Sequence, residues 1–543
     1  MTENENKKRT NVSRETLGGE MAAASAVRRT EAASIAGTEG IAGASPKRVA
    51  IVGAGIAGLA AGVYARQSGF DATIFESHVI PGGASTSWSR KGYLFEGGMH
   101  WLTGSSPKTA LNAVWNEVGA LNADVPIYNR DPFLAYEFEG RTVFLYRDID
   151  RLEAHLIDVA PEDEREIRRL MRDVRKFAKM QMPITDLKGV KVASKRSTSP
   201  LALLAMLPSM ARMPFYANQT ARAFAERFSS PLLRTLFSSM VGEEMSAVGL
   251  AFTLATLISG DGGYPLGGSL AMARRMAETF EGLGGTIEYR SLVDRVAVRG
   301  GRATGVVVNG EERVFDAVIV TQDLRMAVDE LFDPPLAEGW ADELRKSVSP
   351  ILDTFVCLGV HADLSDVPES VGFPVDEPVF CGGQRHDTLA VNNYASYEGY
   401  APEGCTAVTL FMNGDTYDWW AARRDDGTYA QEKRALAEAV IAAVSKKYPQ
   451  VEGKVEVWDV ATPLTYERYL HSYKGSWMSN MPLGGMARSY PSKPEGIADV
   501  YFAGQRIAAP GGLPTAVETA RTAVQHLCRD TDTVFQGAKE AAR

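Results

Sequence analysis

The feature that most restricts this chain is Gly53-x-Gly55-x-x-Gly58, set between Arg48-Val-Ala-Ile-Val52 and an alanine-rich stretch that runs to Ser68. The short β-branched run suits a buried parallel strand, and the stretch after it suits a helix. Between such elements each glycine has its own mechanical role. Gly53 permits the tight turn, Gly55 lets backbone approach a pyrophosphate, and Gly58 lets helix and strand pack closely. The helix N-terminus, starting at Ile56 and Ala57, then faces phosphate charge. Gly69 closes the helix, Asp71–Phe75 reads as the second strand, and Glu76 stands at its end. An acid about 20 residues beyond the motif accepts hydrogen bonds from adenosine ribose hydroxyls. Strand, turn, helix, strand and acid together predict a Rossmann-like α/β nucleotide-binding domain.

A second glycine-rich turn follows, Pro81-Gly82-Gly83-Ala84-Ser85-Thr86-Ser87. It brings more main chain to the cofactor than a plain nicotinamide dehydrogenase needs, so FAD is preferred over NAD. No second GxGxxG occurs and no two cysteines are close, which argues against flavin disulfide reductases with a separate nicotinamide domain. One dinucleotide is expected.

At 543 residues, 45% hydrophobic and 23% charged, the chain can bury two or more cores. A net charge of −9 supplies no basic footprint for nucleic acid. The cysteines Cys357, Cys381, Cys405 and Cys528 form no CxxC pair, so no metal site is signalled and a reducing cytoplasm fits. Residues 1–46 lack an apolar period and read as a disordered tail; their six glutamates argue against a transit peptide. Two uncharged runs, Ser197–Ala211 and Met245–Gly260, fall short of the ~18 residues of a membrane span. Each reads either as a buried helix or as an apolar entry surface in peripheral contact with membrane.

With the two glycine turns and Glu76 in place, the chain resembles the phytoene desaturase, carotenoid isomerase and retinol saturase group of FAD enzymes. Tyr264-Pro-Leu-Gly-Gly-Ser-Leu270 is similar to that group's turn before a helix, and Gly284-Gly-Thr-Ile-Glu-Tyr289 leads into Leu292-Val293. Val500-Tyr-Phe-Ala-Gly504 with Pro510-Gly-Gly-Leu-Pro514 resembles the strand and turn that open the group's last helix. The resemblance implies an amine-oxidase-like (GR2-type) FAD domain, interleaved with a substrate domain of mixed β-sheet and helical lid. The expected FAD-binding segments are 47–130, 263–328 and 496–530, the substrate segments 131–262 and 329–495, with a C-terminal tail at 531–543. It further implies FAD contacts at Gly53, Gly55, Ile56, Ala57, Gly58, Glu76, Gly82, Gly83, Ala84, Ser85, Gly97, Gly98, Met99, Val293, Gly504, Gln505, Gly511, Gly512, Leu513 and Pro514. Ala84 stands where many relatives carry Arg or Ser, and Gln505 where they often carry an acid.

Between these segments, Leu134–Phe138 and Thr142–Tyr146 flank Glu139-Gly140 as a hairpin. In Pro161–Met182, Ile167, Leu170, Met171, Val174 and Phe177 recur at helical spacing among many charges, so the charged face reads as solvated and needs no ligand. Proline-punctuated 197–260 reads as short helices forming a lid or tunnel. Strands are expected at Asp353–Val360, Thr388–Tyr394, Ala407–Phe411 and Lys454–Val460, and a helix at Tyr429–Lys447.

Flavin N5 exchanges hydride with carbon, so such a site must present a C–H bond and exclude water. Arg90–Trp101 occupies the place where relatives bring chain beside the flavin ring, which makes His100 a candidate general acid or base. His471 lies in a segment that resembles the relatives' substrate-side loop and is a second, weaker candidate. Trp419, Trp420, Trp477, Tyr466 and Tyr473 either line an apolar channel or pack in the core. The leading reading is hydride exchange with a long apolar substrate (polyene, isoprenoid or unsaturated lipid), giving desaturation, saturation or isomerisation. The alternatives are C–N oxidation, as in flavin amine oxidases, and a non-enzymatic binder of prenylated ligands.

Overall fold

The alternation of small and β-branched residues in Arg48–Val52 places that strand at the centre of a five-stranded parallel sheet in the computed structural model, which describes residues 45–193, 200–481, 483–484 and 488–537. The strands lie in the order Thr286–Tyr289, Asp71–Glu76, Arg48–Val52, Ala317–Val320, Val500–Phe502. Val52 is in register with Phe75 on one side and Val320 on the other. Strand order thus reverses beside the first glycine turn, and a crevice opens there at the carboxyl ends of the strands.

Successive residues of these strands enter different cores, as a period of two requires. Val49, Ile51, Ile74 and Ile319 face a core shared with the helices Ile56–Gln67, Gly268–Gly282 and Gly512–Asp530. Ala50, Val52, Phe75 and Val318 face the antiparallel meander Val293–Arg299, Arg302–Val308 and Glu311–Val314. Gly62 lets the first and second of these helices touch: a Cβ there would lie 2.8 Å from the Phe280 ring.

The second sheet has seven strands in the order Val455–Ala461, Asp353–Val360, Thr406–Asn413, Gln384–Asn393, Ser370–Cys381, Leu134–Phe138, Arg141–Leu145. Its pairs are antiparallel except Ser370–Cys381 with Leu134–Phe138. Helix Tyr429–Lys447 covers one face through Leu436, Val440 and Val444. Strand Ser370–Cys381 was not foreseen, because Pro374, Asp376, Glu377 and Pro378 break its alternation; its ladder slips at the same place, between Pro374 and Val379.

A third region consists of helices around Leu156, Leu170, Val174, Leu236 and Leu254. The two uncharged runs part company here. Helix Val248–Ile258 buries Leu250, Ala251 and Leu254, whereas helix Pro200–Met210 leaves Leu204, Leu207 and Met210 more than half exposed. No helix among the described residues is long and apolar enough to cross a membrane.

The C-terminal tail set at 531–543 needs correction over its first part. Phe535 is 1% exposed, its ring centroid lies 5.3 Å from that of Tyr64, and its backbone N–H donates to the Lys191 carbonyl. An aromatic side chain with a cavity to fill anchors what composition alone reads as an end. The N-terminal segment 1–46 falls almost wholly outside the described residues.

Candidate functional site

The crevice at the strand reversal continues into a single cavity of about 1520 Å³. Of the sequence-derived FAD contacts, Gly53, Gly55, Ile56, Ala57, Glu76, Gly82, Gly83, Ala84, Ser85, Gly97, Gly98, Met99, Val293, Gly504, Gln505, Gly511, Gly512, Leu513 and Pro514 all wall it. Gly58 does not, and its part is different. A Cβ there would sit 1.8 Å from the Gly53 carbonyl oxygen, so Gly58 holds helix against turn.

Around Gly55 the opposite holds. Its φ of −69° suits any residue, and a Cβ would meet nothing nearer than Gly83 Cα at 3.9 Å. The glycine therefore keeps open a space that the protein itself does not fill. Helix Ile56–Gln67 starts on this space with no acid in its first turn, and Gly512–Asp530 likewise starts on the cavity without one. Two helix N-termini with no acidic side chain in the first turn suit an anionic ligand.

Glu76 is 7% exposed; its Oε2 accepts from the Ala54 N–H and its Oε1 from the His78 N–H, each at 2.7 Å. Oε1 also accepts from the Ser77 O–H at 3.4 Å; the carboxylate so fixes the first glycine turn, and Oε2 keeps a lone pair for a further donor. Gln505 Oε1 accepts from the Gly512 N–H at 3.2 Å and steadies the last turn.

Glu96 escaped the sequence reading. Buried at 1% exposure, it accepts from Gly98 N–H and Met99 N–H through Oε1, and from Tyr264 O–H, Ser269 N–H and Ser87 O–H through Oε2. It ties the Gly97–Met99 turn to the start of helix Gly268–Gly282. The signal was present as an acid directly before Gly97-Gly98. Arg506 acts similarly, pairing with Asp323 at 2.7 Å, both 5% exposed or less at the side chain, while donating to Ser476 and Ser479. It locks the segment bearing Trp477 against the parallel sheet.

The far wall is made of side chains. Phe355, Leu389, Leu410 and Phe411 come from the seven-stranded sheet, Leu236 and Phe252 from the helices Pro231–Ser239 and Val248–Ile258, and Met240 and Val241 from the turn after the first of these. His100 stands where the two walls meet, its ring 4.9 Å from that of Phe411. Burial, aided by the Arg130 charge, lowers its pKa to about 4. His100 is therefore neutral at pH 7 and cannot serve there as an imidazolium acid. His471 also walls the cavity, held in a left-handed conformation (φ 47°) at the end of helix Pro463–Leu470. Tyr466 and Trp477 wall it too, and the Tyr466 O–H reaches the Gly97 carbonyl at 3.4 Å. Trp419 and Trp420 instead pack with the sheet and its covering helix, and Tyr473 lies under Arg325. Among the described residues no cluster of His, Cys, Asp and Glu is placed to hold a metal ion.

Compared with known proteins, the chain matches the flavin containing amine oxidoreductase family over residues 56–528. It belongs to that family. Among this flavin oxidoreductase's relatives, a 4,4'-diapophytoene desaturase from Methylomonas is 25% identical over 88% of this chain and 94% of its own. A chloroplastic prolycopene isomerase from Daucus carota is 23% identical over 80% and 72% respectively. The fold is shared with cyclohexylamine oxidase from Brevibacterium oxydans, with a TM-score of 0.56 at 15% identity over 90% of this chain and all of that one.

As in the rest of this flavin family, the cofactor is FAD, and the site fits it. The open space over Gly55 and Gly83 suits a diphosphate, Glu76 a ribose, and the turn at Gly511–Pro514 the ring end. No acidic side chain opposes the anion at either helix start.

Proposed function

We propose that this protein exchanges hydride with a carbon of a long apolar substrate of the polyene class, giving desaturation, saturation or isomerisation. The observation that carries this reading is the single cavity of about 1520 Å³ in which the glycine wall and the apolar wall face each other. Ordinary small-molecule sites run to about 300–1000 Å³, so there is room for a dinucleotide and an extended hydrocarbon together. The names of the relatives, diapophytoene desaturase and prolycopene isomerase, favour the same substrate class.

When bound, FAD supplies a hydride acceptor or donor at N5. The residues do the rest. Backbone N–H groups at Gly55–Ala57 hold the diphosphate, and Glu76 accepts from the adenosine ribose. The Gly97–Met99 turn, fixed by Glu96, would hold the ring end of the cofactor and border the substrate space. Phe355, Phe411 and Phe252 exclude water and align the chain, while neutral His100 adds a polar contact without a charge that a polyene would have to desolvate.

An apolar substrate also has to be fetched. Exposed Leu204, Leu207 and Met210 lie beside a concavity walled by Arg165, Arg169, Arg172, Lys176 and Arg212, five cations around the single acid Asp173, which pairs with the last two. Ser209 O–H donates to the Lys176 carbonyl across this junction at 2.8 Å. Apolar side chains next to cations suit peripheral contact with an anionic membrane surface, which gives part of the charged helix face a partner. The four free cysteines suit a cytoplasmic setting.

The test is anaerobic mixing of the flavin-loaded protein, oxidised and then reduced, with phytoene, 4,4'-diapophytoene and prolycopene. Flavin bleaching or a product with at least one is expected. No response to any polyene, together with peroxide release from amines in air, would replace this reading by C–N oxidation.

A further inference from the structure

Removing hydride from a saturated carbon leaves a neighbouring C–H acidic, and its proton must be taken up for a double bond to form. A weak base suffices, provided that it is placed in the cavity and not already engaged. Most carboxylates there fail one condition. Glu76 is at the adenosine end and holds two backbone N–H groups, and Asp323 is paired with Arg506. Glu243, Glu244, Asp387 and Asp415 are exposed to solvent.

Asp353 meets both. It opens the Asp353–Val360 strand, walls the cavity and is 3% exposed. Its Oδ2 accepts from the Trp477 indole N–H; its Oδ1 makes no hydrogen bond of good geometry, the Asn413 amide, which donates to the Leu352 carbonyl, being the other donor near the carboxyl. The connection to the flavin side is short. Trp477 precedes Met478-Ser479, which pairs with Pro350-Ile351, and the Ser479 N–H donates to the Pro510 carbonyl in the last glycine turn. The groups facing the carboxyl are the Trp477 indole, the Asn413 amide, the Cys381 thiol and the Tyr466 phenol, with no cation among them. Burial without a cation pushes its pKa up to about 6, against the pull of Trp477 and Asn413. A buried carboxylate oxygen with no hydrogen bond of good geometry is costly, which is unusual for a group that serves only stability.

Resting on the hydride-exchange reading above, we propose that Asp353 takes the substrate proton during desaturation. Hydride leaves one carbon for FAD, which is thereby reduced; the adjacent C–H bond breaks heterolytically, its electron pair becomes the new C=C bond, and its proton passes to Asp353 Oδ1 and later to water.

The test compares wild type, Asp353→Asn and Asp353→Glu as flavin-loaded proteins. The polyene that bleaches wild-type flavin anaerobically is mixed with each across pH 4.5–8.5 (a range about 2 units either side of pH 6.5). Wild type should show a rate that rises through a limb near pH 6 and then levels. Asp353→Asn should stay folded and keep its flavin, lose the limb, and bleach about 10²–10⁴-fold more slowly. Asp353→Glu should regain the limb at reduced rate. Independently of turnover, an infrared carboxyl band absent from Asp353→Asn should titrate near pH 6 and shift when the polyene is added. Wild-type rate and pH profile in Asp353→Asn would overturn the proposal and leave hydride exchange standing. An unstable Asp353→Asn together with an Asp353→Glu lacking the limb would mark the residue as structural. Wild type that bleaches with no polyene would overturn both readings.

Discussion

The glycine-rich wall of the cavity presents backbone, whereas the wall opposite presents side chains drawn from a sheet and a set of helices distant in sequence. On the first, function depends on the absence of atoms: a Cβ at Gly58 collides at 1.8 Å, and one at Gly55 would fill ligand space. On the second, function depends on the bulk of Phe355, Phe411, Phe252 and Met240. A backbone wall tolerates almost no substitution; a side-chain wall can be retuned by size. The difference implies that cofactor and substrate binding can be broken separately.

The largest effects should come from the glycine wall. Gly58→Val should abolish folding, since nothing can move to relieve its contact with the Gly53 carbonyl; soluble yield and circular dichroism report this. Gly55→Glu should instead stay folded within about 1 kcal/mol of wild type, as its Cβ clashes with no protein atom, yet purify without flavin colour. If Gly55→Glu binds flavin normally, the assignment of this wall is wrong. Next, Glu96→Gln should cost about 2–3 kcal/mol, because an amide must turn an N–H group towards backbone donors that a carboxylate accepts. Chemical denaturation measures the loss.

Where the two walls meet, His100 and Asp353 should give opposite pH dependences. The pKa of His100 is lowered to about 4, so its contribution is present above the unfolded value of about 6.5 and lost as pH falls towards 4. That of Asp353 is raised to about 6, so its contribution is present at low pH and lost as pH rises from about 4 to 6. Relative to wild type, Asp353→Asn should therefore gain stability as pH rises through that window. His100→Phe should gain as pH falls from about 6.5 to 4. Each difference is on the order of 2–3 kcal/mol, and denaturant midpoints taken across pH separate them.

Effects confined to the apolar wall should be smaller. Met240→Ala should raise KM for a polyene by about tenfold, from roughly 0.8 kcal/mol per methylene lost, with the flavin spectrum unchanged. Smallest of all for stability is Arg172→Glu, at an exposed helix position, which should stay within about 0.5 kcal/mol of wild type. Sedimentation with anionic vesicles should nevertheless weaken by about 1 kcal/mol per cation removed.

The same contrast explains what could be read in advance. The glycine wall is written in short consecutive runs, so Gly53, Gly55, Glu76, Gly82-Gly83 and Pro510–Pro514 could be picked out from the sequence, and all of them line the cavity. Glu96 and Asp353 were not, because each lies in a run that reads as an ordinary strand and gains meaning only from partners up to 173 residues away in sequence, such as Ser269 for Glu96. Strand Ser370–Cys381 was hidden by its own prolines, and the anchoring of Phe535 by its polar surroundings. Trp419 and Trp477 look alike in sequence; only the fold sends one to the core and the other to the cavity.

The most direct test of hydride exchange with a polyene is an anaerobic stopped-flow comparison of the flavin-loaded protein with phytoene, 4,4'-diapophytoene and prolycopene, following flavin absorbance and polyene spectrum together. Flavin and polyene should change in step with at least one of them, or the polyene alone should change when the flavin is supplied reduced. A bound flavin that stays unchanged with every polyene in both redox states, and leaves every polyene unchanged, would contradict it.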